Sequence, residues 1–471
     1  MSKTKKFRTG LSPSQTLILP FSLNNWLRED HPARALAELV DQLDIRPILD
    51  AYQELRGQPP YDPRMMVRVF VYAYSQGIRS SRRIERALYD DVAMRVLSGN
   101  QQPDHCRIAE FRRRHHEALG NLLVETVRLA KQAGVVGGHD LSVDATKFKA
   151  NASRHAAMSY GYMAEEEKRL RARIEQLEEE ARVRAEIDKG LAEMEATDTR
   201  EDQELGKAAS GWTLGDDLRF KRQRLARIEK AKAELEARAR AQAEAKVAGK
   251  TAKTAEPVPE ATAVKDNAQY NYTDPESRIM RNSEKAFIQG YNGQAAVDAE
   301  SMIVVAADVT TSSSDNGALE GIVAQACANL GEAPTGVLAD AGYYSDANVA
   351  ALEALGIDAL IPPNRIPHAE WREQAAAEGA PAPDATRREA MRHKLGTAEG
   401  RRRYKRRQET VEPTFGNLKE IQGQRQELLR GMAKVRSMWR FQCAVYNLKK
   451  LLKAGVSKNG PMGRVASPMM A

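Results

Sequence analysis

The 471-residue sequence has no run of about 18 apolar residues and only three cysteines. Without a long apolar run, no membrane-spanning helix is expected, and we expect no membrane partner. Cys106, Cys327 and Cys443 lie far apart without CxxC spacing. That spacing argues against a zinc knuckle or a disulfide framework and favours a reducing cytoplasm. The basic start MSKTKKFRTG is followed by neither an adequate apolar stretch nor a small-residue cleavage site, so no secretory signal is expected.

Positive charge is concentrated in the last part of the chain. The formal net charge is +8, yet residues 387–453 alone carry 19 Lys and Arg against 6 Asp and Glu. The rest of the sequence is therefore slightly acidic. A concentrated basic block is typical of proteins that bind a phosphate backbone, although a solvated helical face has the same composition. Composition alone favours a nucleic-acid partner.

Apolar residues at helical spacing predict a mostly helical domain over residues 1–133. Its last helices carry an arginine cluster formed by Arg112, Arg113 and Arg114. Several short helices in this order are similar in outline to a helix-turn-helix, although short basic helices also occur in ordinary bundles. We interpret this domain, with its arginine cluster, as a DNA-binding domain.

From residue 134 the pattern changes to alternating strands and helices. The segment HDLSVDATKF alternates apolar and polar residues and predicts a strand that presents Asp144 away from the core. A hairpin, a helix and the short strand GVLAD, which ends at Asp340, follow later in the chain. This order predicts a mixed α/β catalytic domain over residues 134–162 and 265–455, followed by a disordered tail over residues 456–471.

A charged segment over residues 163–264 interrupts the α/β pattern. Apolar residues recur at steps of three or four along one stretch and more loosely along a second, at Leu170, Ile174, Leu177 and Ala181 and at Leu225, Ile228, Leu235 and Ala239. Two narrow apolar seams among Glu, Arg and Lys predict an antiparallel helical hairpin. The following stretch AGKTAKTAEPVPEATAVKDN predicts a flexible linker. We interpret the segment as an insertion that is structural or contacts a second copy or DNA.

Three acidic residues occupy positions suited to metal chemistry. Asp144 lies on the polar edge of a strand, Asp340 ends another strand, and Glu412 follows Thr410, which can cap a helix starting there. Strand-end carboxylates of an α/β sheet are well placed to converge, and they repel each other unless a cation neutralises them. Oxygen ligands suit Mg²⁺ or Mn²⁺, and two such ions can stabilise an in-line phosphodiester displacement. Taken singly, an Asp after a strand is more often a turn former.

Several segments resemble those of bacterial insertion-sequence transposases with a ribonuclease-H-like DDE core. They are LSVDATKFKANAS, NYTDPESRIM, FIQGYNGQAAVD, VLADAGYYS and TVEPTFGNLK. The upstream YDPRMMVRVFVYAYSQGIRSSRRIERA and PDHCRIAEFRRRH, and the tail WRFQCAVYNLKKL, are similar to the first helical domain and the last helix of the same group. The resemblance covers roughly residues 15–155 and 265–453 and implies that Asp144, Asp340 and Glu412 are the catalytic, metal-binding triad.

The family's last motif also has a Tyr and an Arg before the Glu and a Lys seven positions after it. Lys419 fits that spacing from Glu412 and by resemblance contacts a phosphate near the scissile bond. Tyr404 and Arg407 keep their mutual spacing, but Arg407 is one residue too far from Glu412. Glu409, one helical turn before Glu412, is the rival for the third ligand.

Lys147 and Lys149 follow Asp144 closely in the sequence. Two lysines just beyond a catalytic acid are candidates for contact with DNA. Solvated surface lysines would give the same pattern.

The resemblance implies a DNA transposase that cleaves and transfers strands with two Mg²⁺ or Mn²⁺ ions. Its implied partners are double-stranded DNA, comprising the terminal inverted repeats and the target, and a second copy of the chain on paired ends. Its implied location is the bacterial cytoplasm, associated with the nucleoid. The alternatives are a non-mobile nuclease or a domesticated DNA-binding protein of the same fold. A purely structural protein is disfavoured because the helical hairpin interrupts a β-containing core.

Overall fold

The structure is a computed structural model that describes residues 22–52, 60–153, 156–198, 214–248, 264–282, 284–364, 377, 379–382 and 384–456. Apart from Val456, the tail predicted over residues 456–471 lies outside the described residues, as does most of the predicted linker after residue 248. The chain divides into two compact units. One is formed by Met1–Phe148 with Asn292–Ala471 and the other by Lys149–Tyr291.

After a 3₁₀ turn at Leu23–Trp26, the described residues at the start of the first unit form seven α-helices, which confirms the helical character predicted for this part of the chain. They are α1 (Pro32–Asp41), α2 (Arg46–Leu49), α3 (Pro63–Ser75), α4 (Ser81–Asp90), α5 (Val92–Leu97), α6 (His105–Arg114) and α7 (His116–Gln132). Asp62 and Asp104 cap α3 and α6, because their carboxylates accept hydrogen bonds from the first free backbone N–H groups. Strand β1 (Leu141–Lys149) follows.

The second unit contains the predicted antiparallel helical hairpin. Its elements are β2 (Ala157–Ser159), α8 (Tyr160–Asp198), α9 (Leu214–Ala248), β3 (Gln269–Asn271) and β4 (Arg278–Arg281). Leu170, Leu177, Ile228 and Leu235 of the predicted seams are buried. Ala231, also buried, fills the gap between Ile228 and Leu235 in the second seam.

Ion pairs across the hairpin show its antiparallel direction. Arg222 pairs with Glu178 at 2.5 Å, and Arg171 pairs with Glu229 at 2.9 Å, so positions rise along one helix as they fall along the other. In the same unit β2 pairs antiparallel with β3, and β4 pairs antiparallel with the first residues of β5 (Phe287–Asp298).

The remainder of the chain returns to the first unit. Its elements are β6 (Val304–Thr310), α10 (Leu319–Leu330), β7 (Gly336–Ala339), α11 (Asp346–Ala354), β8 (Asp358–Leu360), α12 (Arg387–Gly396), α13 (Ala398–Gly416) and α14 (Met432–Lys453), with 3₁₀ turns at Asn316–Ala318 and Ala341–Tyr343 and a π-helix at Asn417–Ile421. The sheet order within this unit is β6-β5-β1-β7-β8. Strands β1, β7 and β8 are parallel, whereas β5 and β6 are antiparallel. The predicted mixed α/β class is confirmed.

Helix α14 is the buried centre of the first unit. It packs against α7, α3 and β6, and Trp439 and Phe441 are fully buried. The Trp439 indole stacks on Phe148, with ring centroids 5.5 Å apart, and its N–H donates to the backbone carbonyl of Gln294 at 2.9 Å. The last helix therefore holds β1 and β5 in place. Across the described residues, every helix is too short or too polar to cross a bilayer.

Candidate active site

Parallel strand pairing brings Asp144 and Asp340 side by side. Val143 of β1 is paired with Ala339 of β7, so Asp144 and Asp340 are the next residues along the two neighbouring strands. Neighbouring strands lie about 4.8 Å apart. Two acids more than 190 positions apart in the sequence are thus brought to one edge of the sheet, as the strand pattern predicts.

Asp144 is more enclosed than the sequence suggests. Its side chain is 23% exposed, and Ser142 and Thr146 on the same face of β1 are buried. The prediction that this face points away from the core is therefore wrong, because α13 covers it. Burial raises the pKa of Asp144 to about 6, with Asp340 adding to the rise and the Arg407 guanidinium opposing it.

Arg407 of α13 forms the ion pair that balances this carboxylate. Its Nη1 donates to Asp144 Oδ2 at 2.8 Å, and the guanidinium carbon lies 5.9 Å from the centre of the Tyr404 ring. The Tyr404 hydroxyl donates to the backbone carbonyl of Ala339 at 3.3 Å, one residue before Asp340. Tyr404 and Arg407 thus belong to the same group as the two acids, despite the one-residue departure from the family spacing.

An ion-pair network that the sequence pattern did not indicate anchors α13 on the sheet. The Arg403 guanidinium donates to both oxygens of Asp140, at 2.9 and 2.7 Å, and to Asp358 at 2.6 Å. Asp140 immediately precedes β1, and Asp358 begins β8. Because Arg403 and Arg407 are one helical turn apart, this anchor aligns α13 so that Arg407 reaches Asp144.

Gly336 makes room for the anchor. A Cβ at this position would lie 2.5 Å from Arg403 Nη2 and 2.6 Å from Asp140 Oδ1, well inside contact distance. The first residue of β7 therefore has to be glycine for the guanidinium to reach Asp140.

Glu412 lies elsewhere on α13. The helix is continuous from Thr397, whose hydroxyl caps it, to Gly416, so the prediction that a helix starts near Thr410 is wrong. Thr410 instead donates its hydroxyl to the carbonyl of Arg406 at 2.6 Å. Pro413 lies inside the helix, in its last turn. Glu412 is exposed, and within the described residues it forms no ion pair.

Glu409, the rival third ligand, is also exposed and pairs with Lys405 at 3.5 Å. Across the part of the chain that the structure describes, no three acidic, histidine or cysteine side chains converge closely enough to hold a metal ion. The structure therefore brings together two acids of the predicted triad and leaves both candidates for the third apart from them.

The predicted DNA contacts are dispersed. Lys419 is half-buried within the π-helix. Lys147 is half-buried on β1, where strand alternation puts it on the opposite face from Asp144. Lys149 is exposed at the end of the same strand.

The three arginines of the α6 cluster also differ in their exposure to solvent. Arg113 is exposed, and Arg114, also exposed, donates to the carbonyl of Ala51 at 2.7 Å. Arg112 is buried, and its guanidinium donates to the backbone carbonyl of Arg79 at 2.7 Å. The prediction that Arg112 contacts DNA is wrong, because this side chain is buried in the core.

Two further residues near the acids carried no distinctive sequence signal. Tyr343 is fully buried and donates its hydroxyl to Gln294. Its pKa is raised well above the usual value, first by burial and then by the negative charges of Asp315, Asp144 and Asp340. Asp315, which follows β6, thus shares an electrostatic environment with the two predicted acids.

Comparison with known families yields two matches. Residues 21–114 match the family described as Transposase domain (DUF772), and residues 380–452 match the family described as Transposase DDE domain. The second match includes Tyr404, Arg407, Glu412 and Lys419. No curated protein and no solved structure matches the chain significantly.

Proposed function

We propose that the chain is a transposase of the DDE type that cleaves the ends of an insertion sequence and joins them to target DNA, because two of its segments match transposase families. The observation that carries this proposal is the β1–β7 register, which sets Asp144 beside Asp340. We propose further that the mixed sheet and its flanking helices are a ribonuclease-H-like catalytic core. Residues 1–133 would form the DNA-binding domain and residues 163–264 an insertion.

The two carboxylates fit a divalent cation. Both offer hard oxygen donors, and their mutual repulsion, together with the burial of Asp144, is relieved by a cation. Asp144 and Asp340 would hold Mg²⁺ or Mn²⁺, and the third acid of the proposed triad, needed to complete a site for two ions, would come from Glu412 or Glu409 of α13. When bound, the cations stabilise the attacking and leaving oxygens of the phosphodiester displacement.

The chain's own residues prepare the site for that displacement. Arg407 holds Asp144 in place and keeps a positive charge beside it. Tyr404 ties α13 to the carbonyl preceding Asp340. In cleavage, a water oxygen attacks the phosphorus and the 3′ oxygen departs as a hydroxyl. In strand transfer, that hydroxyl attacks a target phosphodiester and releases a new 3′ hydroxyl, so no covalent protein–DNA intermediate is formed.

Double-stranded DNA is the proposed partner. Helix α13 exposes Arg402, Lys405 and Arg406 in the basic block, where they can meet phosphates near the acids, and Lys419 and Arg113 would extend this contact. Strand transfer needs two ends held together, so we propose a homodimer on paired terminal inverted repeats, acting at the nucleoid. Light scattering of the protein with end DNA measures the number of protein copies bound to each pair of ends. A single copy per end pair would contradict the dimer.

A strand-cleavage assay tests the function. Its substrate is DNA that spans each boundary of the coding region, with Mg²⁺ or Mn²⁺. Asp144→Asn and Asp340→Asn should abolish cleavage while DNA binding is retained, since each removes a charge without changing shape. Cleavage that persists in both variants would refute the proposed site.

Glu412→Gln and Glu409→Gln are a matched pair, since both residues are exposed on the same helix. We expect Glu412→Gln to lose strand cleavage and Glu409→Gln to retain it. The reverse result would assign the third ligand to Glu409. End binding without cleavage by the unmodified protein would instead indicate a domesticated DNA-binding protein, and cleavage without joining a nuclease.

A further inference from the structure

Asp315 is held near Asp340 by a pair of buried amides. Asn292 Nδ2 donates to Asp315 Oδ1 at 2.6 Å, and Gln294 Nε2 donates to the same oxygen at 2.9 Å. Both amide side chains come from β5 and are fully buried. Two donors on one oxygen fix the carboxylate in a single orientation and leave its other oxygen, Oδ2, for a different partner.

That second oxygen lies on the side of Asp340. A Cβ built on Gly342 would be 3.0 Å from Asp340 Oδ1 and 3.7 Å from Asp315 Oδ2. Gly342 is exposed, so the two carboxylates border one solvent-accessible space that any larger side chain would fill. Because Gly342 has no side chain, the gap between these carboxylate oxygens stays open.

A turn-forming role does not account for this carboxylate. Asp315 stands at the N-cap of the 3₁₀ turn Asn316–Ala318, where an aspartate side chain ordinarily accepts from the backbone. Here the side chain forms no capping hydrogen bond. Its backbone carbonyl alone accepts from Ala318 N, at 3.0 Å.

We propose that Asp315 is a positioning residue of the active site, which accepts hydrogen bonds from the water shell of a divalent cation bound by Asp144 and Asp340. The inference rests on the proposed function. Mg²⁺ keeps several of its waters in protein sites, and carboxylates beyond the direct ligands commonly hold such waters. This role agrees with the described geometry, in which Asp315 stands near the pair without completing a direct three-acid ligand group.

Mn²⁺ binding to the full-length protein, measured by calorimetry or electron paramagnetic resonance without DNA, tests the proposal. Asp315→Asn keeps the oxygen that accepts from Asn292 and Gln294 and changes only the free one. We expect its Mn²⁺ affinity to fall about tenfold. Gly342→Ala retains every charge but fills the gap, and it should also weaken binding. Glu320→Gln removes one charge from an exposed residue five positions away and should bind Mn²⁺ as the unmodified protein does.

The outcomes separate the two proposals. Unchanged Mn²⁺ affinity in Asp315→Asn or in Gly342→Ala, with binding lost in Asp144→Asn and Asp340→Asn, overturns the role of Asp315 and leaves the proposed function standing. Unchanged affinity in Asp144→Asn and Asp340→Asn overturns both. Weaker binding in all four variants, with Glu320→Gln unaffected, supports both. Far-ultraviolet circular dichroism of each variant checks that the fold is retained.

Discussion

Asp144→Asn should make the metal-free protein more stable at neutral pH while it abolishes cleavage. The folded protein encloses the carboxylate, and its pKa rises from 3.8 to about 6. At pH 7 Asp144 is ionised in both states, but its charge is less favourable in the folded chain than in the unfolded chain. The rise in pKa corresponds to a loss of about 3 kcal/mol in the free energy of unfolding. The pKa already includes the attraction of Arg407, so the lost ion pair adds no separate cost.

The pH dependence follows from the sign of the shift. A raised carboxyl pKa favours folding while the group is protonated, below about pH 4, and that contribution disappears as the pH rises through about 6. The unmodified protein should thus lose stability over this window relative to Asp144→Asn. The advantage of the variant should grow from under about 1 kcal/mol at pH 4 to about 3 kcal/mol at pH 7.

Urea unfolding in EDTA at pH 4, 5 and 7 measures this difference, with Glu320→Gln as an exposed control that should change stability by less than about 0.5 kcal/mol. An Asp144→Asn protein that is less stable than the unmodified one at pH 7, or whose advantage is the same at pH 4 and pH 7, would refute the reasoning.

Three further predictions concern the supports of the site. Arg403→Met should lower the free energy of unfolding in urea by about 3 kcal/mol, because Asp140 loses both hydrogen bonds in a largely buried position. A change of less than about 0.5 kcal/mol would contradict the role of Arg403 as an anchor. Gly336→Ala should cost about 1–3 kcal/mol by overlap with the same ion pair, and an unchanged melting temperature would argue against it. Arg112→Met should lower the free energy of unfolding by about 1–3 kcal/mol, because it leaves buried acceptors unpaired. Arg113→Met, the control, should leave stability unchanged. Equal effects in the two variants would contradict the assignment of Arg112 to the core.

Much of the fold could be predicted because it depends on local pattern. The seams of α8 and α9 follow helical spacing, and the strands around Asp144 and Asp340 follow apolar alternation and short apolar runs. The sequence pattern predicts the wrong start for α13, because Thr410 and Pro413 are typical of a helix beginning. In the folded chain the Thr397 cap and the Arg403 anchor extend the helix through both residues.

By itself, the sequence determined that Asp144 stands on a strand of a mixed sheet and that Asp340 directly follows another, since residue type and alternation decide that locally. Only the tertiary structure decided which groups surround them. Strand register sets Asp144 beside Asp340, helix packing brings Arg407 onto Asp144, and two buried amides on β5 orient Asp315. Each depends on contacts between residues distant in the chain, whose geometry no local pattern encodes.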